Sequence, residues 1–567
     1  MKNLFILIIA VLMISCSVNN DKLFEEVANN YIEYFLQSNP EWATDLGDHR
    51  YDGQLSNYDI SAITADREET YSLLESLKEI NENQLSNDNK IDYNILKTHL
   101  EYSIFSIDTL QEYSWNPLIY NVGDGIYGLL IREFAPIETR LNSVKERLEK
   151  VGEITSQAKL NLINPPIVHI ETAILQNKGN ISLIKNDLEM FLDGLPSIKE
   201  DMENARVSAI KSLEDYGDWL ENDLLPRSDG EFRIGDKKWQ RKLHYTLSSS
   251  FTKNQILESA EKDLIETQAV MYETALPLYR IHFGEPRSID KNSVIKSVLD
   301  KLAEKRPNNE TVVDLANISL KSTTEFVRKM NLVTVPDDPV QIMVMPEYQR
   351  GVAVAYCSSP GPFEKGAKTF YTISPTPESW PTTRVESFYK EYNNYMLENL
   401  TVHEAMPGHY LQLAHNNQYE APTLIRSIFG SGTFIEGWAT YAEQLMVEYG
   451  YGGDEIKMQQ LKMRLRLIIN SIIDQKIHTD GMSEEDAIKL MMTEGFQEEG
   501  EAYGKWRRAC MSSTQLSTYY IGNMEINDIR NSYESKHGKD FDIKTMHNEI
   551  LSFGSPPPKY VKELLKL

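Results

Sequence analysis

Apolar residues recur at helical spacing along most of this 567-residue chain. Leu141, Val144, Leu148 and Val151 stand at i, i+3, i+7 and i+10, the stripe of an amphipathic helix. Thr252 and Gln255 form a capping-box pair that opens a helix running at least to residue 270, and the same period returns over 312–327 and 456–473. Three short segments interrupt it. Residues 339–345, 351–356 and 368–373 are rich in β-branched and aromatic side chains and are separated by Pro and Gly, which predicts short strands. Beyond them, Thr383 and Glu386 are spaced to cap a further helix, whose stripe of Val385, Tyr389, Tyr392, Met396 and Leu400 leads onto His403. His403 is therefore predicted on a buried face. No repeat of about 34 residues is present, which excludes a tetratricopeptide solenoid. The expected class is mainly α with a small β-sheet. A polar turn cluster at 225–231 marks the candidate boundary between an N-terminal helical region, 23–230, and a second region, 231–567.

Charge narrows the partners. A net charge of −26 argues against nucleic acid, whose phosphates it would repel. Residues 1–15 carry Lys2 and then an apolar run too short for the roughly 20 residues of a membrane span. They end before Cys16 in a segment that resembles a bacterial lipobox. The expectation is a signal peptide over 1–15, lipidation of Cys16, a tether over 16–22, and an exported lipoprotein anchored at the periplasmic face or cell surface. An ordinary cleaved secretory signal is the alternative. Cys357 and Cys510 alone remain after Cys16, too few for a disulfide scaffold, and read as buried thiols.

The candidate chemistry lies in His403-Glu404-Ala405-Met406-Pro407-Gly408-His409. Two imidazoles and an adjacent carboxylate suit a catalytic zinc, with the carboxylate as proton acceptor. The usual spacing of such histidines is i, i+4. Here it is i, i+6, which on a regular helix turns the second imidazole roughly 120° away from the first. Pro407 conflicts with the carbonyl four residues back, so a bulge or break is expected between Ala405 and His409. Downstream, Glu436 and Glu443 are seven apart and share a helix face. Two readings of Glu436 stand side by side: third zinc ligand, or partner of Thr433 in a capping box.

The motifs His-Glu-x-x-Pro-Gly-His-x-x-Gln and Glu-Gly-Trp-Ala-x-Tyr-x-Glu resemble those of the DUF885 proteins, a bacterial group placed among gluzincin-like metallopeptidases. Segments 39–48, 140–148, 164–166, 474–481 and 515–522 match the same pattern, so the resemblance spans roughly residues 30 to 560, and a single family domain over 23–567 is the alternative to two regions. The resemblance implies a large two-lobed helical metallopeptidase-like fold, with the sheet beside the zinc helix and one zinc per chain. His403, His409 and Glu436 are then ligands and Glu404 the general base, with Glu443 behind the ligands.

Further roles are expectations of the same kind. Tyr519 suits an oxyanion donor, and Arg508 a terminal carboxylate. His478 either steadies the intermediate or interacts with a helix end. The strand 369–373, bearing Tyr371, is either a substrate-binding edge or a structural hairpin. Gln412 is assigned to substrate binding from its place in the motif. Where the family often has Pro-Gly, this chain has Ser513-Thr514. The functional expectation is a zinc peptidase, of carboxypeptidase or dipeptidase type, that hydrolyses short peptides. The competing expectation is a non-catalytic surface lipoprotein that binds peptides or glycans. Oligomeric state is not legible.

Overall fold

A computed structural model describes residues 19–286, 290–337, 340–345, 350, 354–364 and 368–567. The chain is mainly helical, with one three-stranded sheet among the described residues. Its first helices are set by local chemistry. Asn19 caps Asn20–Ser38, and Ser86 caps Asn87–Phe105. One hydrophobic cluster is drawn wholly from residues 55–224, around the helix Ile137–Asn161, where Leu141, Val144, Leu148 and Val151 are buried as the stripe requires. A second cluster, built on Phe24, Leu36 and Leu96, also takes in Ile425 and Ile428. Buried Arg426 donates to Asp92 at 2.5 Å across that contact, so the N-terminal helices pack directly on the second half.

The second half is organised by seven helices: α1 (Lys253–Phe283), α2 (Asn394–Glu404), α3 (His409–Asn416), α4 (Gly432–Glu448), α5 (Gly453–Asp480), α6 (Glu499–Met511) and α7 (Ser517–His537). The Thr252–Gln255 capping box opens α1 as expected. Most residues of α5 are buried; it is ended by Gly481 in the left-handed region, φ 72°. Helices α4 and α7 cross at Gly437 and Gly522. A Cβ on Gly437 would lie 2.6 Å from the Gly522 carbonyl carbon, so only glycine allows this approach.

The sheet consists of β1 (Val340–Val344), β2 (Ala355–Ser358) and β3 (Thr369–Ile373), in the order β1-β3-β2. β3 pairs parallel with β1 and antiparallel with β2. This corrects both expectations for 369–373. The strand is central, both its edges are hydrogen-bonded, and it is neither a free substrate edge nor one arm of a simple hairpin. The single helix expected from Thr383 to His403 is also two. Thr382–Glu391 follows Pro381, with no side-chain cap from Thr383, and Asn393 starts α2 by accepting from Tyr395 and Met396 N–H at 3.1 and 3.2 Å.

Candidate metal centre

Helix α2 delivers His403 and Glu404 in its last turn. Ala405 then leaves helical geometry (φ −125°, ψ −76°), the Met406–Pro407 peptide is cis, and Gly408 (ψ −130°) leads into α3 at His409. The expected break is present. A side chain on Gly408 would collide with the carbonyls of Val402 and His403, so glycine is required at this turn. Trp438 of α4 fixes it from the other side by donating its indole N–H to Pro407 O at 2.8 Å. The two imidazoles are brought to a centroid separation of 4.7 Å, nearly perpendicular at 86°.

Glu436 reaches the same point from α4. Ser431 caps that helix through Phe434 N–H, and Thr433 is turned away to donate to Leu247 O at 3.2 Å, so Thr433 and Glu436 form no capping box. Glu436 Oε2 lies 3.5 Å from His403 Nε2 and 3.4 Å from His409 Nε2. The three ligand atoms fall within 4.8 Å of one another. Nitrogen and oxygen ligands about 2.0–2.2 Å from one tetrahedral zinc would stand about 3.3–3.6 Å apart, so the separations to Glu436 fit such an ion. The chemistry fits as well. Glu436 Oε2 is buried and makes no hydrogen bond among the described residues.

Behind the ligands, His403 Nδ1 donates to Glu443 Oε1 at 2.7 Å, and Asn399 donates its amide to Glu443 Oε2 at 2.6 Å. A carboxylate only accepts, so Nδ1 carries a proton, and Nε2 is left facing Glu436 and His409. Electrostatics bind the cluster together. Burial works against charge on His403, yet Glu436 and Glu443 outweigh it and hold its pKa well above the usual imidazole range. Burial would raise Glu436, but His409 and His403 pull it well below the usual carboxylate range. A metal entering this cluster therefore displaces protons.

The other expected residues divide. Glu404 is 9% exposed and close enough to Cys357 and Tyr371 for its charge to bear on both. Tyr519 stands in the first turn of α7, one helical turn before the Gly437–Gly522 crossing. Burial first, and then the charge of Glu436, raise its pKa, so the phenol keeps its proton. Arg508, exposed near the end of α6, donates through Nη2 to Gln515 Oε1 at 2.9 Å and Tyr519 Oη at 3.1 Å. Three assignments are corrected. Tyr371 is fully buried, with its hydroxyl 3.3 Å from Thr401 Oγ1, and packs behind α2 out of a substrate's reach. Gln412 is 1% exposed and donates to Ser555 Oγ at 2.8 Å, tying α3 to the C-terminal segment. His478 has Nε2 2.8 Å from the Ala509 carbonyl, and burial lowers its pKa, so it is a neutral tether between α5 and α6 rather than a catalytic group.

Sequence reasoning gave no role to Asn399, Trp438 or Asp474. Asn399 sits four residues before His403, so helical spacing alone places it on the same face. Asp474 accepts from Thr514 N–H (2.9 Å), Ser517 N–H (3.0 Å) and Ser517 Oγ (2.8 Å), and so shapes the turn that starts α7 and aims Tyr519. No local pattern signals that role.

The chain belongs to the family described as bacterial protein of unknown function (DUF885), whose model matches residues 40–565. A solved structure from Shewanella oneidensis is 34% identical, with a TM-score of 0.82, covering 96% of this chain and 100% of its own. One from Colwellia psychrerythraea, at 18% identity, shares the fold with a TM-score of 0.78 over 96% of this chain and 98% of its own. Each is described as a "putative lipoprotein", the first also as of unknown function. Among curated proteins no sequence matches.

Proposed function

We propose that this chain is a zinc-dependent peptidase acting on short peptides. The observation that carries the reading is the convergence of His403, His409 and Glu436, with His403 oriented from behind by Glu443. A bound zinc would supply Lewis acidity to the scissile carbonyl and to the attacking water. Glu404, adjacent to His403 at the end of α2, accepts the water's proton and returns it to the departing amine. The Tyr519 phenol donates to the developing oxyanion. The substrate main chain pairs with β2 rather than β3, because β2 is an edge of the sheet and its Cys357 lies near Glu404.

Metal analysis of purified chain tests the reading. About one zinc per chain and hydrolysis of short peptides are expected. A chain that takes up no zinc, even when it is supplied, and cleaves nothing would overturn it in favour of a peptide- or glycan-binding lipoprotein.

The chain is also proposed to be anchored through an acylated Cys16, which lies outside the described residues. The names of the two structural neighbours support this, and no described helix is long and apolar enough to cross a membrane. Membrane partition of wild type, lost in Cys16→Ser, is the expected result.

A further inference from the structure

A strongly acidic chain concentrates positive charge beside its candidate metal centre. Glu501, Lys505 and Arg508 follow one another at i, i+4 and i+7 on one face of α6, and Lys462 and Arg466 of α5 meet them. The carboxylates here are already engaged. Glu391 is held by Lys462 at 2.8 Å and by Arg466. Glu501 accepts from the Tyr392 hydroxyl at 3.2 Å and lies 3.6 Å from Arg466. Lys505 therefore has only a 3.9 Å contact with Glu501, although its side chain is 10% exposed. Burial with so little compensation pushes its pKa down to about 7. Arg508 has no carboxylate within ion-pair distance among the described residues; its Nη2 is spent on the neutral groups of Gln515 and Tyr519. Its Nε and Nη1 make no hydrogen bond there and are open at the surface.

We propose that Arg508 and Lys505 form a subsite for a substrate carboxylate, which defines the substrates as peptides bearing a free carboxylate close to the bond that is cut. The inference rests on the peptidase reading above. A guanidinium fork matches a carboxylate's two oxygens, and a second cation beside it adds attraction without competing for the same lone pairs. Tyr519 links the subsite to the metal centre, since its hydroxyl touches Arg508 and it stands one turn before Gly522, which packs against Gly437 beside Glu436. The carboxylate is that of the C-terminus or of an acidic side chain; both present the same chemistry.

The test uses the zinc-loaded Glu404→Gln chain, which binds without turnover, and calorimetry with N-acetyl-Ala-Ala-Phe-Ala as free acid, as C-terminal amide, and as an amide ending in Glu in place of the last Ala. At least one of the two carboxylate-bearing peptides should bind about tenfold or more tightly than the plain amide, and Arg508→Gln, at an exposed position, should remove most of that difference. Lys505→Met should reduce it as well, with the thermal midpoint checked because that side chain is buried. If only the Glu-terminated amide gains, the subsite reads side-chain carboxylates; if only the free acid gains, it reads the C-terminus; if both gain, it accepts either. Equal binding of all three peptides, or a gain untouched by both substitutions, overturns the subsite. Wild-type hydrolysis of the plain amide in that case would leave the peptidase reading intact, whereas failure to bind or cleave any of the three peptides overturns both.

Discussion

Two buried charge clusters lie close together in this molecule and are built in opposite ways. Around Glu391, every strong contact closes on itself: Lys462 Nζ at 2.8 Å, the Glu498 N–H at 3.1 Å, and Arg466. Around Glu436, both imidazole nitrogens stand back at 3.4 and 3.5 Å, while the outer nitrogen of His403 is held tightly at 2.7 Å. The first geometry neutralises charges already present. The second fixes the back of His403 and leaves the facing nitrogens and Glu436 Oε2 at separations that a shared cation would fit. Burial and charge are alike in the two clusters; the spacing of the donors is what differs.

The largest expected effect lies at the functional cluster. Glu404→Gln should keep its zinc and its thermal midpoint and lose a factor of about 10²–10⁴ in turnover, since that is what a general base contributes. Measured turnover near wild type would take Glu404 out of the chemistry. Glu391→Ala should do the reverse. It strands Lys462 and Arg466 in a buried site, costing about 3–5 kcal/mol in urea unfolding with zinc content unchanged. A stable variant, or one that loses zinc, would erase the contrast between the clusters. Between these, Glu443→Gln and Asn399→Ala should each weaken zinc about 10–100-fold in chelator competition, because they release His403 Nδ1. Unchanged affinity would show that the backing residues merely pack.

Protonation offers a smaller effect. His547 is fully buried; its Nδ1 donates to Leu332 O at 2.7 Å and its Nε2 accepts from the Tyr441 hydroxyl at 2.8 Å. Burial pushes its pKa down to about 4. In the unfolded chain it returns to about 6.5, so between these values the unfolded state binds the extra proton. Its contribution is complete above pH 6.5 and is lost as pH falls toward 4, about 2 kcal/mol by pH 5. The urea stability of wild type minus that of His547→Gln should narrow by about that amount between pH 7 and pH 5. A constant difference would mean that His547 titrates alike in the fold and in the unfolded chain.

The convergence of His403, His409 and Glu436 was largely legible in the sequence, and for physical reasons. Ligand chemistry restricts residue types, and Pro407-Gly408 announces the break that lets i, i+6 histidines converge. The β-sheet was not legible in the same way. β3 lies between β1 and β2 because β1 pairs with it in parallel across the intervening β2, and strand order of that kind is a tertiary choice. Tyr371, Gln412 and His478 were assigned to chemistry because polar groups near a motif invite it. Their partners, Thr401, Ser555 and Ala509, lie 30 or more residues away, and local pattern does not reveal them. The division of the helix before His403 follows from Asn393, whose cap competes with a continuous apolar stripe.

The smallest expected effect concerns the turn before α7, which lies in neither cluster but positions Tyr519 between the metal centre and Arg508. Thr514 occupies the left-handed region there, φ 69°. A β-branched residue resists that conformation, which glycine adopts freely. The site compensates. Thr514 N–H is held by buried Asp474 at 2.9 Å, and its hydroxyl contacts Thr246 Oγ1 at 3.0 Å. The backbone hydrogen bond survives substitution by glycine; the hydroxyl contact does not. The hydroxyl also donates to Ser513 O at 2.6 Å, so relief of the left-handed strain, of order 1–2 kcal/mol, is set against two neutral hydrogen bonds and the added freedom of the unfolded chain. These nearly cancel, so Thr514→Gly should change stability by no more than about 1 kcal/mol and leave turnover within about twofold. Asp474→Asn should instead depress turnover more than stability predicts, since the turn loses the anion that gathers three donors. If Thr514→Gly lowers turnover tenfold with the fold intact, the threonine side chain, rather than Asp474, sets where Tyr519 points.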